Sequence, residues 1–208
     1  MTAFFVLYMD RKNLPQDAVL ESHPLKPFLP ADGRILFLGS FPPPRSRWSM
    51  EFFYPNFIND FWRIQGLLHF NDPSHFEISG EKRFDCGKIV SFCLETGLAF
   101  YDTASVVCRL KGNASDEFLE IVEPADIASL LEAMPDCMTI VTTGGKSAQE
   151  LLEIFNSSGA SLRKIPAVGD SLEVDAFGRH LRWWRMPSTS RAFPMKLQDK
   201  AAYYSRLF

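Results

Sequence analysis

Four short apolar runs, each breaking off into a polar, hydroxyl-rich or proline-bent loop, constrain this chain more than any other feature. They are "RILFLG" (Arg34 to Gly39), "GLAFYD" (Gly97 to Asp102), "CMTIVTTGG" (Cys137 to Gly145) and "LRWWRMP" (Leu181 to Pro187). Continuous rather than alternating hydrophobicity marks strands covered on both faces, the pattern of a parallel sheet. Helical spacing lies between and after them. "INDFWRIQGLLHF" puts Phe61, Ile64, Leu67 and Leu68 on one face, with Asn59 or Asp60 placed to cap it. "KSAQELLEIF" repeats the pattern with Ala148, Leu151, Leu152 and Phe155, and "KLQDKAAYYSRL" reads as a closing helix. "EPADIASLLEAM" (Glu123 to Met134) predicts a helix with Pro124 in its first turn, and "TASVV" reads as a small, polar continuation of the second run. Strand, loop and helix in repetition predict an α/β chain: a single three-layer domain with a four-stranded, mainly parallel central sheet. "SLEVDAFGRHLRWWRM" also allows a hairpin turning near Phe177-Gly178, which stays open at this point.

At 208 residues, with 46% hydrophobic and 23% charged side chains, the chain can bury a sizeable core and is not intrinsically disordered. Four prolines in the first thirty residues (Pro15, Pro24, Pro27, Pro30) predict an N-terminal arm over 1–21 and one domain over 22–208, with "ESHPLKPFLP" packed extended against it. The apolar stretch Ala3 to Met9 is far shorter than the ~20 residues of a spanning helix and has no basic leader. The expectation is a cytoplasmic monomer with no membrane partner. Cys86, Cys93, Cys108 and Cys137 form no CxxC pair, and His23, His69, His75 and His180 form no HExxH, so no metal and no cofactor are expected.

Ligands of open parallel sheets bind beyond the carboxyl ends of the strands, where strand order reverses. Here those ends are Gly39 to Pro43, Tyr101 to Thr103, Thr142 to Ser147 and Met186 to Arg191. "GGKS" lacks the earlier glycine of a phosphate loop, since that position is Ile140. Ser40 sits in no GxSxG elbow, and no GxGxxG follows a strand. The net charge is −3, yet from Arg179 to Phe208 seven cations face the single acid Asp199. Such a stretch is either a solvated face or a local surface for phosphates.

Three segments, "LGSFPP", "FFYPNFINDFW" and "MPSTSRAF", taken together resemble the uracil-DNA glycosylase superfamily, nearest to its mismatch-specific uracil/thymine and hypoxanthine branch. The resemblance runs from about Ser22 to Phe208. It implies hydrolysis of the N-glycosidic bond of a damaged base (uracil, hypoxanthine or mismatched thymine), without cofactor, on duplex or single-stranded DNA with the nucleotide flipped out. Carried onto these motifs, Gly39, Ser40, Phe41, Phe53, Tyr54 and Asn56 would hold the base, Phe53 or Tyr54 as its aromatic platform. Asn59 and Asp102 would be catalytic, holding water and orienting it or a donor. Lys146, Ser188, Thr189, Ser190 and Arg191 would meet the DNA, Arg191 filling the gap left by the flipped base. Asn59 reads equally as a helix cap and Asp102 as the start of a turn. The first motif departs from the superfamily's pattern: Phe41 stands where Asn or Asp is common, and Pro43 where glycine is usual. That departure leaves two other readings open, a non-catalytic nucleic-acid-binding relative and a hydrolase of small nucleosides.

Overall fold

The computed structural model describes residues 19–110 and 116–208, so most of the arm expected over 1–21 lies outside the described residues. Among the described residues, eight strands and five α-helices follow one another: β1 (Leu20–Ser22), β2 (Ile35–Gly39), α1 (Phe61–Phe70), α2 (Cys86–Thr96), β3 (Leu98–Asp102), β4 (Ala104–Arg109), β5 (Leu119–Pro124), α3 (Ile127–Glu132), β6 (Thr139–Thr143), α4 (Gly145–Ser157), β7 (Ser171–Ala176), β8 (Arg179–Met186) and α5 (Leu197–Tyr204).

The central sheet has five strands, not four, in the order β3-β2-β6-β8-β7. β3, β2, β6 and β8 are parallel, and β7 pairs antiparallel with β8. The fifth strand comes from the hairpin that the sequence allowed. Its turn is Phe177-Gly178, both with positive φ (54° and 71°), as a two-residue turn matching strand twist requires. Side-chain alternation splits the core in two. Leu36, Leu38, Ala99, Ile140, Leu181 and Trp183 face α3 and α4, while Phe37, Leu98, Phe100, Val141 and Met186 face α1, α2 and α5. Those are the three layers expected.

A second, antiparallel sheet, β1-β4-β5, was not foreseen. β4 begins two residues after β3 ends, with only Thr103 between, so the small, polar stretch after the second run forms a strand of its own. Pro124 closes β5 instead of opening a helix, and α3 starts three residues later on Asp126, whose carboxylate accepts from Ser129 N–H. β1 lies along β4, and beyond it Phe28 exchanges backbone hydrogen bonds with Phe100 of β3 at 3.0 and 2.9 Å. The chain ahead of β2 is thereby fastened to both sheets.

Candidate active site

β2 is the strand at which connectivity reverses, since the chain passes to β3 on one side of it and reaches β6 on the other. Its carboxyl end is Gly39, opposite Asp102 in the β2–β3 register. A Cβ at Gly39 would lie 2.5 Å from Asp102 Oδ1, so this close approach is open to glycine alone. Asp102 Oδ2 accepts a hydrogen bond from His23 Nε2 at 3.0 Å. His23 is almost fully enclosed, its ring 4.5 Å from that of Tyr101, edge-on to Phe41 at 5.2 Å and 6.2 Å from Phe53. Its Nδ1 faces the Leu25 peptide, 2.8 Å from the carbonyl and 3.2 Å from the N–H.

Between the tips of β2 and β6 stands Tyr54. Its backbone is in the left-handed region (φ 52°), uncommon for an aromatic residue. The ring stacks on Phe61 at 4.0 Å and the hydroxyl bonds Thr143 Oγ1 at 2.8 Å. Burial pushes the phenol well above its usual range. The Thr143 hydrogen bond pulls it down and the Asp102 charge pushes it up, so the group stays protonated at neutral pH.

The loop after β8 is fixed from below. Tyr204 donates to the Pro187 carbonyl at 3.0 Å, and Asp60 N–H donates to the Thr189 carbonyl at 2.9 Å. Lys200, fully buried, donates to Asp60 Oδ2 at 2.8 Å and to the Ser190 carbonyl at 2.9 Å. Ser188 packs against Gly144, whose φ of 117° needs glycine. Ser188 Oγ accepts from Ser190 N–H and Ser190 Oγ from Ala192 N–H, while Arg191 stays 60% exposed, 3.6 Å from Asp60. Lys146 lies in the first turn of α4, where Ser147 Oγ is buried without a partner, as is Arg185 Nε on β8.

Several expected positions are corrected by this arrangement. Thr189 is buried at 2% exposure, drawn in by Asp60, so its hydroxyl does not face a phosphate surface. Phe53, at 4%, belongs to the core beside Phe52 and Phe100, so its ring is not presented at the strand tips. Phe41 packs on Ala104, Val107 and Leu119 under the Arg109 guanidinium, in the small core of the second sheet. Arg109 also donates to the Pro42 carbonyl at 2.5 Å and pairs with Glu21 at 3.0 Å, tying the first motif to β1. Asn56 Oδ1 accepts from Ile58 N–H at 3.2 Å and Asn59 Oδ1 from Phe61 N–H at 2.9 Å, so both brace turns. Ser40 is half-buried at the start of its loop.

The basic stretch is not one surface either. Arg179 donates to the Leu131 and Met134 carbonyls behind α3, Arg206 to that of Gly169 and Arg185 to that of Pro166, while Arg182 pairs with Glu173. Two shallow hollows of about 440 and 650 Å³, beside Gly80 and beside Tyr203, lie away from the strand tips. The tips themselves are packed, with Gly39, Asp102, Thr103 and Thr189 all buried. No cluster of His, Cys, Asp and Glu among the described residues could hold a metal ion, and no described helix is long and apolar enough to cross a membrane.

No family model matches the sequence, and no curated protein matches it. Among solved structures the chain is similar to a solution NMR structure of a "putative Uracil DNA glycosylase" from Methanosarcina acetivorans, with a TM-score of 0.60 over 91% of this chain and 99% of that one. At 19% identity the two share a fold.

Proposed function

We propose that the chain is a DNA glycosylase that flips a damaged base (uracil, hypoxanthine or mismatched thymine) toward the tips of β2 and β6 and hydrolyses its N-glycosidic bond. One observation carries this reading: segments of all three resembling motifs meet the strand ends, with Gly39 paired to Asp102, Tyr54 hydrogen-bonded to Thr143 at the end of β6, and the loop after β8 tied through Thr189 to Asp60 ahead of α1. The fold shared with the archaeal structure supports it.

The chemistry follows from charge. As the bond breaks, the base becomes anionic and the sugar cation-like. Backbone N–H groups at Ser40 and Phe41 would stabilise the base oxygen, each worth about 3 kcal/mol in comparable oxyanion sites. The Asp102 carboxylate would stabilise the sugar's positive charge or orient the attacking water. Asn59 keeps a free lone pair on Oδ1 and its amide hydrogens for that water. Tyr54 is the platform for the base, and its ring has to move aside or slide along Phe61 to admit one. Ser188, Ser190, Arg191 and Lys146 would hold the flanking phosphates.

The test uses labelled oligonucleotides carrying uracil, hypoxanthine or mismatched thymine, followed by alkali. Scission by the wild type, lost or lowered about 10²-fold or more in Asp102→Asn and in Asn59→Ala, is the expected result. Binding without scission would instead support a non-catalytic nucleic-acid-binding protein, a reading that the packed strand tips favour. Arg191→Ala should weaken binding uniformly across sequences and lower the slope of log K against log salt by about one unit, measured by fluorescence anisotropy. An unchanged slope would place Arg191 off the phosphates.

A further inference from the structure

His23 is a buried titratable group that the proposed chemistry does not use. It lies in no motif, and it follows directly after β1, the strand that pairs with β4. Its imidazole nevertheless meets the first motif at Phe41, the second at Phe53 and the end of β3 at Asp102. We infer that His23 is a positioning residue that holds the Asp102 carboxylate in one orientation at the tip of β3; this rests on the glycosylase reading.

An ionised carboxylate only accepts hydrogen bonds, so at 3.0 Å the proton between the two groups belongs to Nε2. On the other edge of the ring, Nδ1 lies 2.8 Å from the Leu25 carbonyl and 3.2 Å from the Leu25 N–H. The Leu25 peptide thus anchors the imidazole with its Nε2 edge turned to Asp102. Oδ1 lies 2.5 Å from where a Cβ at residue 39 would be, in space that only the glycine leaves open. The imidazole thus holds one oxygen and the glycine makes room for the other. A rotamer of Asp102 that turned Oδ2 away would give up the His23 bond.

The contact spans 79 residues of sequence and depends on the β1–β4 pairing, backed by Arg109 and Glu21. The segment ahead of the domain's first central strand is therefore part of the site. A catalytic group held loosely by about 1 Å loses about 10²-fold in rate. His23→Ala should accordingly lower the single-turnover rate on a uracil- or hypoxanthine-containing oligonucleotide about 100-fold. Its KM should stay within threefold of wild type, because the proposed phosphate contacts lie on the β6 and β8 loops. His23→Gln, whose amide nitrogen can reach Asp102, should recover all but about tenfold. Melting curves of both variants accompany the rates.

Two further outcomes matter. Equal losses in the Ala and Gln variants, or a His23→Ala rate within twofold of wild type with a native melting curve, would overturn the positioning role. The imidazole ¹⁵N resonances of His23 are recorded as well, without any substrate. Nε2 should be protonated in the wild type, and Asp102→Asn should shift its resonance. A resonance indifferent to that substitution would also sink the inference. A wild type that releases no base refutes the glycosylase reading, and the nitrogen spectrum alone then decides whether His23 orients Asp102.

Discussion

Lys200→Met should destabilise the protein by about 3–5 kcal/mol, the cost typical of leaving one partner of a buried ion pair behind. Lys200 is fully buried and Asp60 only 6% exposed, so the stranded carboxylate has little water to turn to. Arg191 is the other cation beside Asp60, but at 3.6 Å and 60% exposed it is a weak substitute. The melting temperature should fall by about 10 °C, taking 2–4 °C per kcal/mol for a chain of this size. The Ser190 carbonyl also loses its donor, so the loop after β8 should loosen before the rest unfolds. Amide exchange at residues 188–192 would detect that, and Asp60→Leu combined with Lys200→Met should recover part of the loss. A melting point within 2 °C of wild type would mean that Arg191 swings in and neutralises Asp60 unaided.

Gly39→Ala should spare stability and abolish function. The added methyl would stand 2.5 Å from Asp102 Oδ1, the end of a side chain that could rotate away for about 1 kcal/mol were it unrestrained. His23 restrains it, so relief requires breaking the 3.0 Å bond or shifting the tip of β2. Base release should drop 10²-fold or more while the melting curve moves by a few degrees. Coupling is the signature to look for. In a Gly39→Ala, His23→Ala double variant the two rate losses should not multiply, because both act by displacing the same carboxylate. Multiplicative losses would show that the glycine matters for another reason, such as the path of the first-motif loop.

The parallel strands were legible because burial on both faces leaves a continuous apolar run, a signal that needs no partner to be read. β4 was not, because "TASVVC" is short, small and half polar, and its pairing with β1 is decided by residues some 85 positions away. Pro124 was misplaced for a related reason: proline suits the first turn of a helix and the end of an edge strand equally, and Asp126 proves to be the cap. In the site, Gly39 and Asp102 could be placed at strand ends from the pattern. His23 could not, since one histidine among prolines has no periodicity and its partner is remote. Nothing in the run of cations that holds Lys200 sets it apart from its neighbours, and only the fold turns it inward to Asp60. Phe53 and Tyr54 are adjacent and chemically alike, yet the positive φ of Tyr54 sends one ring into the core and the other across the strand tips.

The two borders of the central sheet are finished differently. On the β3 side Phe28 occupies the backbone groups of Phe100, so that border is already capped by the chain's own lead-in. On the β7 side the outermost strand carries Glu173 and Asp175 two positions apart, 45% and 87% exposed. Arg182 and His180 of β8 pair with them, so this border is lined with charged side chains of both signs. Self-templated growth of this sheet is opposed at both margins, by occupancy at one and by the water-seeking charges of an edge strand at the other.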